Sequence, residues 1–449
     1  MKDMMIILSA ALLTALGVKT GLAQEKYEGL TQDKAVTVAL QKNRDLLNAE
    51  DEVQKSSYRI SEAASGAFPQ ITGNWNYNRN LKPQVFVISM PDSTGKLTQS
   101  RLKVGTDNSA NLGVNLTQPL YVGGKIGTAL QAAKIYKNLS GETARAVKQN
   151  VILGVSQAFN SALLAKELQN IAFESLEQAR KHLENVEHLK AAGAATEYDL
   201  LRARVNVSNM KPKLLEAENN VTLSLLRLKQ TMGVDPDAPI SLTGVFTEPD
   251  TTLLALAEGR TALEKRPEIK IGKYTTDLQE KNVQVVKADF FPTLTAGTSF
   301  AFMGNFDAFR YNAREWNPYW YATLNLSFPI FDGLRNYSKY RQAKIDYLKS
   351  RTDFMKIRDS VVIEVSEGIL NLKMALKQIE SQKMNIQEAQ RAVELSESLF
   401  SNGKATQLEV LDAQLALEVA RTNMASALYH GTVAAIVLRK SLGLLDSDS

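Results

Sequence analysis

The chain has 449 residues, with 53 basic and 48 acidic side chains, a net charge of +5 and no cysteine. Charge so evenly balanced leaves no nucleic-acid footprint, and the missing thiol excludes disulfides, thiolate metal sites and the lipidated cysteine of a bacterial lipoprotein. The length suits two or three ordinary domains, with stability left to packing and assembly.

In chain order, Lys2 precedes an apolar run from Met4 to Val18, and Gly21 and Ala23 precede Gln24. This predicts a secretory signal peptide over residues 1–23; the run is too short for the roughly 20 residues of a membrane span. Gln32 to Ala64 is helical by pattern. After Phe68 and Pro69, the residues Ile71, Gly73, Trp75 and Tyr77 alternate, as do Leu112, Val114 and Leu116 before Pro119. Period-two alternation marks a strand with one face to lipid and one to water, although a soluble sheet alternates too. The polar loop from Asn78 to Asn108 is predicted to be mobile and to face the cell exterior. Pro119 and Gly123 mark a sharp strand-to-helix turn. From Lys125 to Lys190 there is no proline, which predicts a helix near 100 Å long. Gly193 and Thr196 then signal a tight turn and a cap. The return helix carries Leu200, Ala203, Val207, Met210, Leu214, Ala217, Val221, Ser224 and Leu228 at alternating spacings of three and four, the seam of a coiled coil. Gly233 to Pro249 reads as a girdle or linker.

The second half repeats the first at a shift of roughly 210 residues. Leu253 to Lys287 is helical; Leu294, Ala296, Thr298, Phe300 and Phe302 alternate, as do Leu324, Leu326 and Phe328 before Pro329 and Gly333. Trp316, Tyr319, Trp320 and Tyr321 resemble the aromatic belt at a membrane boundary. The second loop, Gly304 to Pro318, is shorter by about 13 residues. Val365, Leu372, Ile379, Ile386, Val393 and Phe400 recur every seventh residue along a helix from Arg335 to Ser401. Gly403 and Thr406 match Gly193 and Thr196, and Val410 to Leu438 repeats the return seam. The predicted segments are 1–23, signal peptide; 24–66, first-copy helix and equatorial region; 67–120, first strand pair; 121–232, first helical hairpin; 233–257, equatorial linker; 258–289, second-copy helix; 290–330, second strand pair; 331–443, second hairpin; and 444–449, a tail. Four strands cannot close a barrel in lipid, where no edge stays unpaired. The fold class is an α+β membrane protein: a long antiparallel helical coiled-coil barrel and a transmembrane β-barrel shared between protomers.

The doubled order of ALQKNRDL and ALEKRPEI, of FP before each strand pair, of QPLYVGGK and FPIFDGLR after it, and GKATQLEVLDAQ at the last turn resembles the TolC family of outer-membrane efflux ducts. The resemblance covers nearly the whole mature chain. It implies a homotrimer with twelve strands in outer-membrane lipid and a twelve-helix tunnel across the periplasm of a Gram-negative-type cell. It further implies a periplasmic adaptor and an inner-membrane RND or ABC-type transporter as partners. Gly193, Thr196, Gly403 and Thr406 would then meet the adaptor, beyond building the turn. Glu409 and Asp412 match an acidic pair at the tunnel mouth, where a carboxylate ring would favour cations; a solvated helix face is the alternative. Asp199 and Arg202 stand at the matching places of copy one and are expected to join ties that hold the mouth closed. Phe400 and Ala405 depart from the tyrosine and arginine of some members.

No enzyme is expected. His182 and His188 lie six apart on one predicted helix and share no face. In Gly123 to Lys125, GGK lacks the following Ser or Thr of a phosphate loop. No cofactor or metal and no nucleic-acid partner is predicted. The rival to a duct is a periplasmic coiled-coil adaptor or scaffold, separable by its extraction from membranes without detergent.

Overall fold

A computed structural model describes residues 26–82, 84–91, 93, 95–257, 264–308 and 316–446. The predicted signal peptide lies outside them, as do the last residues of the predicted tail. The chain forms two compact units. One comprises the described residues up to Asp51, Thr143–Ile269 and those from Ile357 onward; the other is Glu52–Glu142 with Lys270–Lys356.

In chain order the elements are β1 (Tyr27–Leu30), α1 (Gln32–Lys42), α2 (Arg44–Ser65), β2 (Gln70–Arg79), β3 (Val85–Pro91), β4 (Leu97–Lys103), β5 (Asn108–Val122), α3 (Lys125–Ala191), α4 (Glu197–Met232) and β6 (Ile240–Leu242). The second copy supplies α5 (Thr252–Ala257), α6 (Pro267–Lys287), β7 (Thr293–Phe306), β8 (Trp316–Ser327), α7 (Arg335–Ser401) and α8 (Gln407–Ser441). The helices α3 and α7 each run 67 residues, as the proline-free stretches predict.

The strand-bearing unit holds an antiparallel four-stranded sheet in the order β2-β5-β7-β8, so β2 and β8 are free edges among the described residues. The register puts Gly73, Val114, Phe300 and Trp320 in one cross-strand row, and Trp75, Leu112 and Phe302 in the next. One face is therefore apolar, and Ile71, Trp75, Val114, Trp320 and Leu324 stand exposed on it. The other face carries Asn74, Asn115 and Ser299, joined by hydrogen bonds of 2.8 Å (Asn115 Nδ2 to Asn74 Oδ1) and 2.6 Å (Ser299 Oγ to Asn115 Oδ1). Gly113, Ser299 and Ala301 are buried on this polar face. An exposed apolar face opposite a hydrogen-bonded polar one is the reverse of a soluble sandwich, which buries its apolar face.

Four expectations are corrected. Gln32 to Ala64 is two helices: Asn43 is extended, its Oδ1 accepts from the Asp45 and Leu46 amides, and its Nδ2 donates to the Thr231 carbonyl at 2.9 Å. The predicted second helix, Leu253 to Lys287, is likewise broken, with α6 opening at Pro267, where a missing amide costs nothing; residues 258–263 lie outside the description. Pro119 is inside β5, which continues to Val122 past a register shift, so the turn belongs to Gly123. The polar loop after β2 contains the β3–β4 hairpin, in which Phe86 pairs with Leu102.

In the helical unit, Ala35, Ala39, Leu46, Val155, Phe159, Leu228 and Met232 form a buried core joining α1 and α2 to the α3–α4 hairpin. The predicted linker contains β6, which pairs in parallel with β1. The two copies share one joint. Asn43 donates to the carbonyl of Thr231, and Arg266 Nη1 donates to that of Ser441 at 3.1 Å, so each return helix ends against the break of the preceding helix. Arg266 is almost wholly buried and is held by Glu268 at 2.9 Å and Glu364 at 2.7 Å. At the same joint Gly233 has φ 74°, and a Cβ there would lie 2.5 Å from the Lys42 carbonyl oxygen. Only glycine fits such a contact.

Candidate functional site

The predicted site residues gather at the tips of the two helical hairpins. At the first, α3 ends in a Schellman turn: the Gly193 amide (φ 76°) donates to Lys190 at 2.9 Å, and the Ala194 amide to Leu189 at 2.8 Å. At the second, the Gly403 amide (φ 68°) donates to Phe400 at 2.9 Å, and the Lys404 amide to Leu399 at 2.8 Å. A Cβ at either glycine would meet nothing within 4 Å, so both point into open space.

Thr196 and Thr406 then open the return helices with full capping boxes. The Thr196 amide donates to Asp199 Oδ2 at 2.9 Å, its hydroxyl to the same oxygen at 2.6 Å, and the Asp199 amide returns a bond to Thr196 Oγ1 at 3.2 Å. In copy two the Thr406 amide donates to Glu409 Oε2 at 2.9 Å. These bonds, the Thr196 hydroxyl first and its amide next, hold the Asp199 carboxyl below the usual carboxylate range. The cap roles of Asp199 and Glu409 are legible in the sequence as T-x-x-D and T-x-x-E.

Asp199 meets the second hairpin through its backbone. Gln407 Nε2, on α8, donates to the Asp199 carbonyl at 3.1 Å. Arg202 has no hydrogen-bond or ion-pair partner among the described residues and acts on Asp199 only as a nearby charge. Asp412 is exposed, as is Glu409. Pro119, within β5, and Gly123, Pro329 and Gly333, at the strand-to-helix connections, lie in the strand-bearing unit and take no part in the tips.

Two residues given no site role in the sequence, Phe400 and His182, complete the joint between hairpins. Phe400 of α7 packs into a cluster of Val186, Leu200 and Ala203 from the first hairpin. His182 of α3 lies 5.5 Å from the Phe400 ring centroid and is only 6% exposed. Burial pushes its imidazole down from the ordinary value, against the opposing pull of Glu397, and its Nε2 has no partner. Further polar ties flank a cleft of about 550 Å³. Arg421 reaches Glu174 at 2.6 Å, and Gln178 Nε2 donates to Glu397 at 3.3 Å. Lys213 pairs with Glu418 at 3.0 Å. Exposed pairs like these are individually worth under about 1 kcal/mol, so the apolar Phe400 contact dominates. Among the described residues no cluster of three or more His, Asp or Glu could hold a metal ion.

An exposed apolar sheet face, a polar face opposite it, two free sheet edges and a pair of capped helical hairpins of unusual length define an outer-membrane channel with a helical tunnel. The model of the outer membrane efflux protein family matches residues 35–234 and 259–444, and the chain belongs to that family. It is similar to the "Probable outer membrane lipoprotein SilC" of Salmonella typhimurium, 24% identical over 409 residues, covering 90% of this chain and 84% of that protein. It is also similar to the "Outer membrane protein TolC" of Vibrio cholerae, 24% identical over 391 residues, covering 86% of this chain and 84% of that one. Among solved structures, the Campylobacter jejuni CmeC outer membrane channel superposes with a TM-score of 0.74 at 19% identity, covering 95% of this chain and 90% of that one. The protein is therefore an outer-membrane efflux channel, and the periplasmic scaffold reading falls.

Proposed function

We propose that three copies of the chain close one barrel and one tunnel, and that the tunnel mouth at the hairpin tips is the gate. The observation that carries this reading is the sheet with free edges β2 and β8 and an exposed apolar face. In lipid each edge must pair, and the copy of β2 on a neighbouring chain is the available partner for β8. A second apolar stripe on α4, with Tyr198, Leu201, Val205, Leu215 and Leu226 exposed, supports packing between chains along the tunnel. The number three comes from the family resemblance.

In this reading residues 1–23 direct export, and Gly193, Thr196, Gly403 and Thr406 receive a periplasmic adaptor. An inner-membrane transporter of RND or ABC type supplies the energy, and the chain itself performs no catalysis. Glu409 and Asp412 ring the mouth and favour cations, while the contacts of Phe400, His182 and Gln407 hold neighbouring hairpins together at rest. Conductance in planar bilayers tests the gate. Glu409→Ala with Asp412→Ala should lower cation preference and change conductance; currents identical to wild type would sink the assignment.

A further inference from the structure

The duplication supplies an internal control, because whatever the fold alone requires should occur in both copies. One stretch fails this comparison. Beyond β8, Phe328, Ile330 (87% exposed), Phe331 (81%) and Leu334 project from the chain, and α7 then opens with Arg335, Lys339, Arg341 and Lys344, all exposed. No acidic residue interrupts these cations before Asp346. The preceding Asp332 is engaged in capping the helix, accepting from the Asn336 amide at 2.9 Å. Arg341 leans on the Tyr337 ring, 5.9 Å from its centroid; Arg335, Lys339 and Lys344 have no ion-pair partner among the described residues.

Copy one builds the same turn with less of this equipment: exposed Leu120 and Tyr121 stand for Ile330 and Phe331, and Lys134 for Lys344, but the other positions differ. Gly124 stands for Leu334, Gly127 for Tyr337, Ala129 for Lys339 and Gln131 for Arg341. Its Lys125, opposite Arg335, is neutralised by Asp289 at 3.0 Å. Leu334 even adopts φ 65° without being glycine, a conformation that non-glycine residues rarely take.

We propose that the segment from Phe328 to Lys344 is a binding surface for anionic phospholipid of the periplasmic leaflet. The apolar part continues the lipid-facing row of Leu324 and Leu326 past the end of the strand, where acyl chains give way to headgroups. The cations follow along the first turns of α7, on the headgroup side of this row, and each Lys or Arg near an anionic surface strengthens binding about fivefold. The proposal rests on the outer-membrane location and not on the gate.

The test uses the full chain in dodecyl maltoside, with dioleoyl phosphatidylglycerol or dioleoyl phosphatidylcholine added and bound lipid counted by native mass spectrometry. The unmodified protein should prefer phosphatidylglycerol. Arg335→Gln with Lys339→Gln and Lys344→Gln should weaken phosphatidylglycerol roughly 100-fold and leave phosphatidylcholine unchanged. Ile330→Ser with Phe331→Ser should weaken both lipids. Arg358→Gln with Lys373→Gln and Lys377→Gln, farther along α7, should change neither. Equal binding of the two lipids by the unmodified protein overturns the proposal without any variant. It also falls if the distal variant loses as much as the proximal one, or if millimolar inorganic phosphate displaces the lipid and the serine variant binds normally, which would make this a site for free phosphate.

Discussion

Gly403 offers a way to separate a turn from a docking contact at one residue. Its φ of 68° costs an L-residue about 1–2 kcal/mol, and a Cβ there meets no atom within 4 Å, so no steric cost is added. Asparagine tolerates this region several-fold better than alanine, a difference of about 1 kcal/mol. If the glycine only makes the turn, Gly403→Asn should approach wild type and Gly403→Ala should be the poorer variant. If the tip receives an adaptor, the larger asparagine should be at least as harmful as alanine, because its side chain occupies the open space the partner needs. The assay is drug or dye efflux in cells carrying the partner adaptor and pump, with the amount of assembled protein in the outer membrane measured in parallel. Wild-type efflux by Gly403→Asn at equal abundance refutes docking at this position.

Two further outcomes are expected. Gly233→Ala combines the same backbone cost with a Cβ 2.5 Å from the Lys42 carbonyl oxygen, so its urea midpoint should fall by more than twice that of Gly193→Ala; equal shifts would show that the joint yields freely. His182 is held neutral by burial, with its folded pKa below the ordinary value. The unfolded chain therefore takes up a proton first as pH drops below about 6.5, and stability falls from there down to the folded pKa, by at most about 1.4 kcal/mol per pH unit. His182→Phe should flatten that slope between about pH 7.5 and pH 5 without loss at neutral pH, since an orphaned buried nitrogen costs about 1–3 kcal/mol. A slope unchanged in the variant would assign the acid sensitivity to other groups.

The long helices and the four sheet strands were legible because each obeys one period over many residues. Proline-free Lys125 to Lys190 and the alternation from Leu294 to Phe302 needed no partner to be recognised. The break at Asn43 was not legible. Its flanks are good helix formers, and the bond that fixes it goes to the Thr231 carbonyl, far away in sequence. The β1–β6 pairing is hidden for the same reason, being only 4 and 3 residues long and joining distant segments. The β3–β4 hairpin could have been found, since Phe86, Ile88 and Met90 alternate within a stretch read by its polar flanks. At the tips, glycine and threonine gave the turns. The sequence places His182 only on a long helix; its contact with Phe400 depends on how two hairpins meet, which no local pattern records.

The polar face of the sheet carries Thr72, Asn74, Asn76, Asn111, Asn115, Thr117, Ser299, Tyr321, Thr323 and Asn325, and no described position in this set is ionised. A wall of amides and hydroxyls trades hydrogen bonds with water at little net gain and offers a passing ion no fixed counter-charge. Cargo crossing this layer would find no stations at which to dwell. Transit through the membrane segment should then be quick and indifferent to the sign of the load, a property suited to a conduit that must release whatever it is handed.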